Sequence, residues 1–249
     1  MDPDPCHADP LEATERQLLV FAREINQLWQ VERARSAELE EALGRLRESY
    51  VDMIRTLAFV VEAKDPGTRA HLSRTHDYAV VLTRAIDPGL ADDEQLRHGF
   101  LLHDVGKVGV PEAILNKPGP LDEQEWRIMR THPLLGIQMV AGIKPLGRAV
   151  EVVRSHHERW DGGGYPAGLR GEQIPFGARI FSVADAFDAM TSDRPYRRAL
   201  TVEEAHREIL DGGGSQFDPE VVAAFDGIAD VLPEMHAVLH RTREPVPVS

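Results

Sequence analysis

The chain holds a single cysteine, Cys6, among 249 residues, which excludes an internal disulfide and any metal site built from several thiolates. No uninterrupted apolar stretch approaches the roughly 20 residues that would cross a bilayer. Met1 to Pro10 also lacks the basic-then-apolar pattern of a secretory signal, so the expectation is a cytoplasmic protein without membrane contact. Positive charge is in the minority: 28 Lys and Arg against 41 Asp and Glu leave a formal net charge of −13. A field of that sign repels phosphates and argues against binding of polymeric nucleic acid. A phosphorylated ligand would therefore need local positive charge or a metal. Strand-like alternation is sparse too, and the expected fold is all-α.

What is present is enough apolar residue, 42%, to build a core of one large domain, or of one medium domain with an appendage. From Leu11 to about Ala63 there is no proline and one glycine, Gly44. Leu18, Ile25, Leu39, Leu46, Met53 and Val60 fall on a seven-residue spacing there, with a second row at Ala22, Trp29, Leu43, Tyr50 and Leu57. The pattern predicts a long amphipathic helix. It reads as a parallel dimer stalk whose seam is interrupted at Glu32 and Ser36, the alternative being a helix folded onto its own domain. The expected divisions are a loose tail over 1–10, the long helix over 11–60, a helical domain over 61–240 and a second tail over 241–249.

Within that domain the periodicity predicts helices over 71–85, 92–103, 122–130, 136–143, 146–157, 179–191, 202–210 and 219–232, with Asp92, Asp122, Thr201 and Asp218 at or beside starts. Between Trp160 and Phe176, glycine and proline crowd into a structured loop too long for a turn.

The chemistry-bearing residues cluster along the chain. His103 and Asp104 end the apolar stretch Gly99-Phe-Leu-Leu102, and Lys107 follows at a spacing that puts it on their face if the helix persists. That trio reads either as a helix C-cap with an ion pair or as a cation site with a lysine for a bound anion. His156 and His157 are consecutive; on a helix they diverge by about 100°, so they suit neighbouring ions better than one. His132 follows a predicted helix, and Asp185 sits inside the small-residue helix Val183-Ala-Asp-Ala-Phe187, where a lone carboxylate is unfavourable. Imidazole and carboxylate without thiolate suit iron, manganese or zinc. His76, His98 and His206 read as non-ligands, and His236 and His240 as a solvated helix face.

Taken in order, Asp65-Pro-Gly-Thr68-Arg-Ala-His71, Leu102-His103-Asp104-Val-Gly106-Lys107, His132-Pro133, His156-His157-Glu158-Arg159-Trp160-Asp161-Gly-Gly-Gly164-Tyr165-Pro166, Ala178-Arg179-Ile180, Val183-Ala-Asp185 and Arg194-Pro-Tyr-Arg197 closely resemble the HD-GYP family, over roughly Val60 to Phe225. The resemblance implies an HD-type helical bundle preceded by the long helix, and a phosphodiesterase that hydrolyses cyclic di-GMP to pGpG and in some members to GMP. It implies metal ligands at His71, His103, Asp104, His132, His156 and Asp185, with His157 as an extra. Asp104 would bridge two divalent ions, iron or manganese first and zinc second, and Lys107 would stand beside the bridging water and the phosphate. Gly164, Tyr165, Pro166, Arg194 and Arg197 resemble the segments that shape the nucleotide pocket.

Members with three metals offer a glutamate where Gly67 stands here, which predicts a two-metal centre with His157 weakly engaged and Glu62 as the substitute to examine. The alternatives are a low-turnover signalling module that binds a cyclic dinucleotide or a protein, and an HD hydrolase of another nucleotide. No receiver or other sensory segment is evident, so the expected controls are homodimer geometry and an upstream regulatory protein acting through the long helix.

Overall fold

The computed structural model describes residues 10–64, 71–143, 146–193 and 198–241. Among the described residues the regular structure is helical, with no strand. The chain divides into two compact units, Met1–Met53 and Ile54–Ser249, and helix α1 (Pro10–Lys64) begins in the first and ends in the second.

Among its described residues the first unit consists of the N-terminal part of α1. Its uninterrupted run of good helix formers accounts for its length. Leu18, Ile25, Trp29, Leu39, Leu43 and Leu46, drawn from both apolar rows, are 41 to 72% exposed.

The second unit is a stack of shorter helices: α2 (His71–Ile86), α3 (Pro88–Ala91), α4 (Glu94–Leu102), α5 (Glu112–Leu115), α6 (Glu123–Met129), α7 (His132–Val140), α8 (Gly147–Ser155), α9 (Phe176–Thr191), α10 (Val202–Asp211), α11 (Pro219–Asp226) and α12 (Leu232–Arg241). Their starts are set by side-chain caps. Asp93, Asp122, Thr201 and Asp218 each accept backbone N–H bonds at the head of a helix, and Glu125 and Glu204 complete capping boxes; each such cap contributes about 1 kcal/mol.

Several expected boundaries move. Helix α7 opens at His132 rather than Gly136, because Pro133 is tolerated in a first turn. Helix α9 opens at Phe176, straight after Pro175, rather than at Arg179. The segment expected as one helix over 219–232 breaks after Asp226, where Gly227 caps α11, and α12 opens at Leu232.

The core of this unit lies between α2, α4, α8, α9, α10 and α11. Phe100 and Phe181 stack with ring centroids 5.5 Å apart, and Phe187 packs edge-on against Tyr78 and Phe225. Phe100, Phe181 and Phe187 are fully buried, each favouring the fold by about 1.5–3 kcal/mol. Phe181 also carries the His103 ring, 4.5 Å from it, so the floor of the site is the core itself.

After α4 a 3-10 turn, Val105–Gly109, crosses in front of α7. A β-carbon at Gly106 would lie 1.9 Å from the His132 carbonyl oxygen, so only glycine lets this turn press against α7. At its far side the Lys64 ammonium donates to the carbonyls of Val108 and Val110 at 2.8 and 3.0 Å, tying the end of α1 to the turn.

Candidate metal centre

The ligand-type side chains come from the ends of different helices, and the backbone explains why. His103 follows α4, His132 follows α6 and His156 follows α8. In each, Nδ1 meets the carbonyl oxygen three residues back: Phe100 at 2.9 Å, Met129 at 2.8 Å and Val153 at 3.1 Å. The last carbonyls of a helix lack an intrahelical donor, and these imidazoles supply it. A carbonyl only accepts, so Nδ1 carries the proton and Nε2 is the free face in all three.

Those faces converge on Asp104. Its Oδ2 lies 3.1 Å from His103 Nε2 and 2.8 Å from Lys107 Nζ, while its Oδ1 lies 3.3 Å from His132 Nε2 and 3.8 Å from His156 Nε2. Two groups result, both containing Asp104: His71, His103 and Asp104 on one side, and Asp104, His132, His156 and His157 on the other, with ligand atoms within 4.8 Å of one another in each. Asp185, from the middle of α9, adds Oδ1 at 3.2 Å from His71 Nε2.

The arrangement fits a cation on its own evidence. His132 Nε2 and His156 Nε2 face each other at 3.3 Å; with both Nδ1 atoms protonated, two lone pairs point at one spot. His103 Nε2 and Asp104 Oδ1 are buried without a hydrogen bond, a costly state unless something positive sits between them.

Charge is distributed to match. Burial by itself would raise the Asp104 carboxyl, but Lys107 and His103 hold it well below the usual carboxylate range. Asp185 is likewise held down against burial by His71. Burial lowers His132 to about 4 against the pull of Asp104, and burial with the neighbouring His156 and His132 lowers His157; both rings are neutral at pH 7. His71 is the exception: burial would lower it, yet Asp185 and Asp188, both bonded to the ring, push it up to about 9.

The consecutive histidines behave differently from the helical expectation. Helix α8 ends at Ser155, so the helical divergence does not apply, and both rings enter one group with Asp104 and His132, their centroids 4.1 Å apart. The lysine reading assumed a persisting helix. The helix ends at Leu102, and the 3-10 turn brings Lys107 to Asp104 instead.

The loop after α8 roofs the site. Tyr165 lies on His157, ring centroids 4.7 Å apart, and its N–H donates to the His157 carbonyl at 3.2 Å. The buried Glu158 carboxylate accepts from Ala167 N at 2.7 Å and Leu169 N at 3.0 Å, pinning the loop that carries Gly164, Tyr165 and Pro166. A β-carbon at Gly164 would come within 2.4 Å of Arg159 N, which is why glycine stands there. Arg194, Arg197 and Gly67, and the side chain of Glu62, lie outside the described residues.

Sequence reasoning passed over Asp188, Arg74 and Glu158 as site residues. Asp188 had a legible signal: it lies three residues after Asp185 on one helix, hence on nearly the same face. His236 and His240 are half-buried with stacked rings, centroids 4.0 Å apart, rather than solvated, because α12 packs its Met235 and Leu239 onto the core. His76 and His98 stand outside both groups.

An HD domain model matches residues 55–221. The chain belongs to the HD domain family, in its HD-GYP branch. The HD domain implies divalent metal binding, and the cluster around Asp104 is able to hold it. The chain is 38% identical over 196 residues to a 3'3'-cGAMP-specific phosphodiesterase of Vibrio cholerae, covering 78% of this chain and 42% of that protein. It is 36% identical over 188 residues to a cyclic di-GMP phosphodiesterase of Thermotoga maritima, covering 75% of this chain and 51% of that one. The chain thus spans about half the length of the curated relatives it matches. Among solved structures, a cyclic GMP-AMP specific phosphodiesterase of V. cholerae shares the fold at a TM-score of 0.56 and 20% identity, over 75% of this chain and 50% of that one. No described helix is long and apolar enough to cross a membrane.

Proposed function

We propose that this chain is a metal-dependent phosphodiesterase that hydrolyses cyclic di-GMP to pGpG. The observation that carries the reading is the Asp104 carboxylate, shared between two ligand groups, with Lys107 on one of its oxygens. The groups suit two divalent ions, iron or manganese before zinc, held by His71, His103 and Asp185 on one side and by His132, His156 and His157 on the other, with Asp104 common to both. Bound there, the ions would supply Lewis-acid charge and a nucleophilic water at neutral pH.

The chain's own residues do the rest. The mostly buried Lys107 ammonium offers donors to a phosphoryl oxygen, setting local positive charge against an acidic chain. Asp104 holds the Lys107 ammonium in place through their 2.8 Å ion pair. Tyr165 and the loop pinned by Glu158 give the nucleotide an aromatic wall beside His157; Arg194 and Arg197 are proposed to join it on the resemblance alone.

A second reading, hydrolysis of 3'3'-cGAMP, is favoured by the similarity to phosphodiesterases named for that substrate. Control is proposed to run through a homodimer formed along α1, supported by the exposed apolar rows, and through an upstream protein acting on that helix. The test is anaerobic loading with Mn²⁺ or Fe²⁺ and product analysis with both dinucleotides. Linear pGpG from cyclic di-GMP is the expected result. Faster cleavage of 3'3'-cGAMP selects the second reading, and no cleavage of either by loaded protein overturns both.

A further inference from the structure

Three of the ligand histidines are oriented by the carbonyl of a helix that has just ended. His71 is placed differently, as the first residue of α2. Its Nδ1 instead meets a side chain 117 residues away: Asp188 Oδ2, at 2.7 Å. Asp188 is completely buried and is itself held at both oxygens by Arg74, whose Nε donates to Oδ1 at 2.5 Å and whose terminal nitrogen donates to Oδ2 at 3.0 Å. The same Arg74 nitrogen reaches Ser192 Oγ at 2.9 Å, so the guanidinium is fixed in turn.

We propose that Asp188, clamped by Arg74, is a positioning residue of the metal centre: it holds His71 as the Nδ1–H tautomer and turns Nε2 toward Asp185 and a cation. An ionised carboxylate only accepts, so the ring nitrogen facing it carries the proton and the other keeps its lone pair for metal. Arg74 lets a carboxylate be buried here at all, and it blocks Asp188 from swinging in as a ligand of its own. The consequence is an inequality between the two groups. The His132 and His156 side is oriented by local backbone, whereas the His71 side depends on a tertiary contact between α2 and α9 and can be loosened alone. This rests on the metal-binding reading of the site.

The test is Mn²⁺ titration of the metal-stripped full chain, with free ion read by electron paramagnetic resonance. In Asp188→Asn, one ion per chain should bind about 10–100-fold more weakly while the other keeps its affinity. Above pH 9, where the metal-free ring has lost its second proton, the ¹⁵N signals of His71 should show the Nδ1–H form in the wild type and a mixture of tautomers in the variant. Since Asn leaves Arg74 facing an amide, Arg74→Gln with Asp188→Asn serves as the second variant, neutral on both sides, and the same selective loss is expected in it. Wild-type protein that binds no Mn²⁺ overturns the metal reading of the site. Wild-type binding with both affinities unchanged in the two variants, or an unaltered His71 tautomer, overturns the role of Asp188.

Discussion

Lys107 Nζ sits 2.8 Å from Asp104 Oδ2, the same oxygen that faces His103 Nε2 at 3.1 Å. One carboxylate thus serves a lysine that cannot ligate metal while protonated and an imidazole that can, and substitution separates the two roles. Asp104→Ala removes the carboxylate common to both ligand groups; metal content by mass spectrometry should fall toward zero and hydrolysis with it. Lys107→Met should keep its metal and lose about 10²–10³-fold in kcat, the usual cost of one donor at a developing anion. Full turnover in Lys107→Met would remove the anion-stabilising role.

Metal-free protein should respond to pH through His71. Its proton affinity is raised in the fold from 6.5 to about 9. The stabilisation is therefore complete below about 6.5 and lost as pH climbs through about 9, by at most about 3 kcal/mol. The depressed carboxyls of Asp104, Asp185 and Asp188 stay ionised throughout this range, and the depressed His132 and His157 act only below it. Thermal melts of chelator-treated protein should fall in midpoint from pH 6.5 to 9, and His71→Gln should flatten the slope. A flat wild-type profile contradicts the assignment.

Glu158 accepts two loop N–H groups and belongs to neither ligand group, so its effect should appear in substrate binding. Glu158→Gln keeps one acceptor oxygen and sets an amide donor against a backbone N–H. KM for the cyclic dinucleotide should rise about 10-fold, the equivalent of a lost charge-assisted bond of 1.5 kcal/mol, with metal content unchanged. A falling metal content instead would show that the loop supports the centre itself.

The exposed apolar rows of α1 predict a homodimer. Leu39→Glu with Leu46→Glu places four carboxylates at one seam in the pair and should yield monomers by light scattering, with metal binding retained because the candidate ligand residues start at His71. Wild-type protein that stays monomeric at high concentration rules out the stalk.

Local pattern was enough for much of this. The proline-free heptads of residues 11–63, the capping residues Asp122, Thr201 and Asp218, and the glycine-rich segment after His157 each act within a few residues, and the structure has the long helix, the capped helix starts and the structured loop. The ordered His, Asp and Gly-Tyr-Pro segments are enough by themselves to identify the family. Helix ends were less legible: Lys107 reaches Asp104 because α4 stops, and His156 and His157 share a group because α8 stops. A sequence period describes a helix while it lasts and says little about where the chain turns once it ends.

Only the tertiary structure decided which polar residues meet across distance. That Asp188 orients His71, that Arg74 compensates it, and that Gly106 brings Asp104 against His132 are contacts between helices far apart in the chain. The sequence alone carried the identity and order of the ligand-type residues. Their division into two groups around one carboxylate came from packing on the Phe100–Phe181 core, where burial makes each unpaired charge expensive enough to dictate its partner.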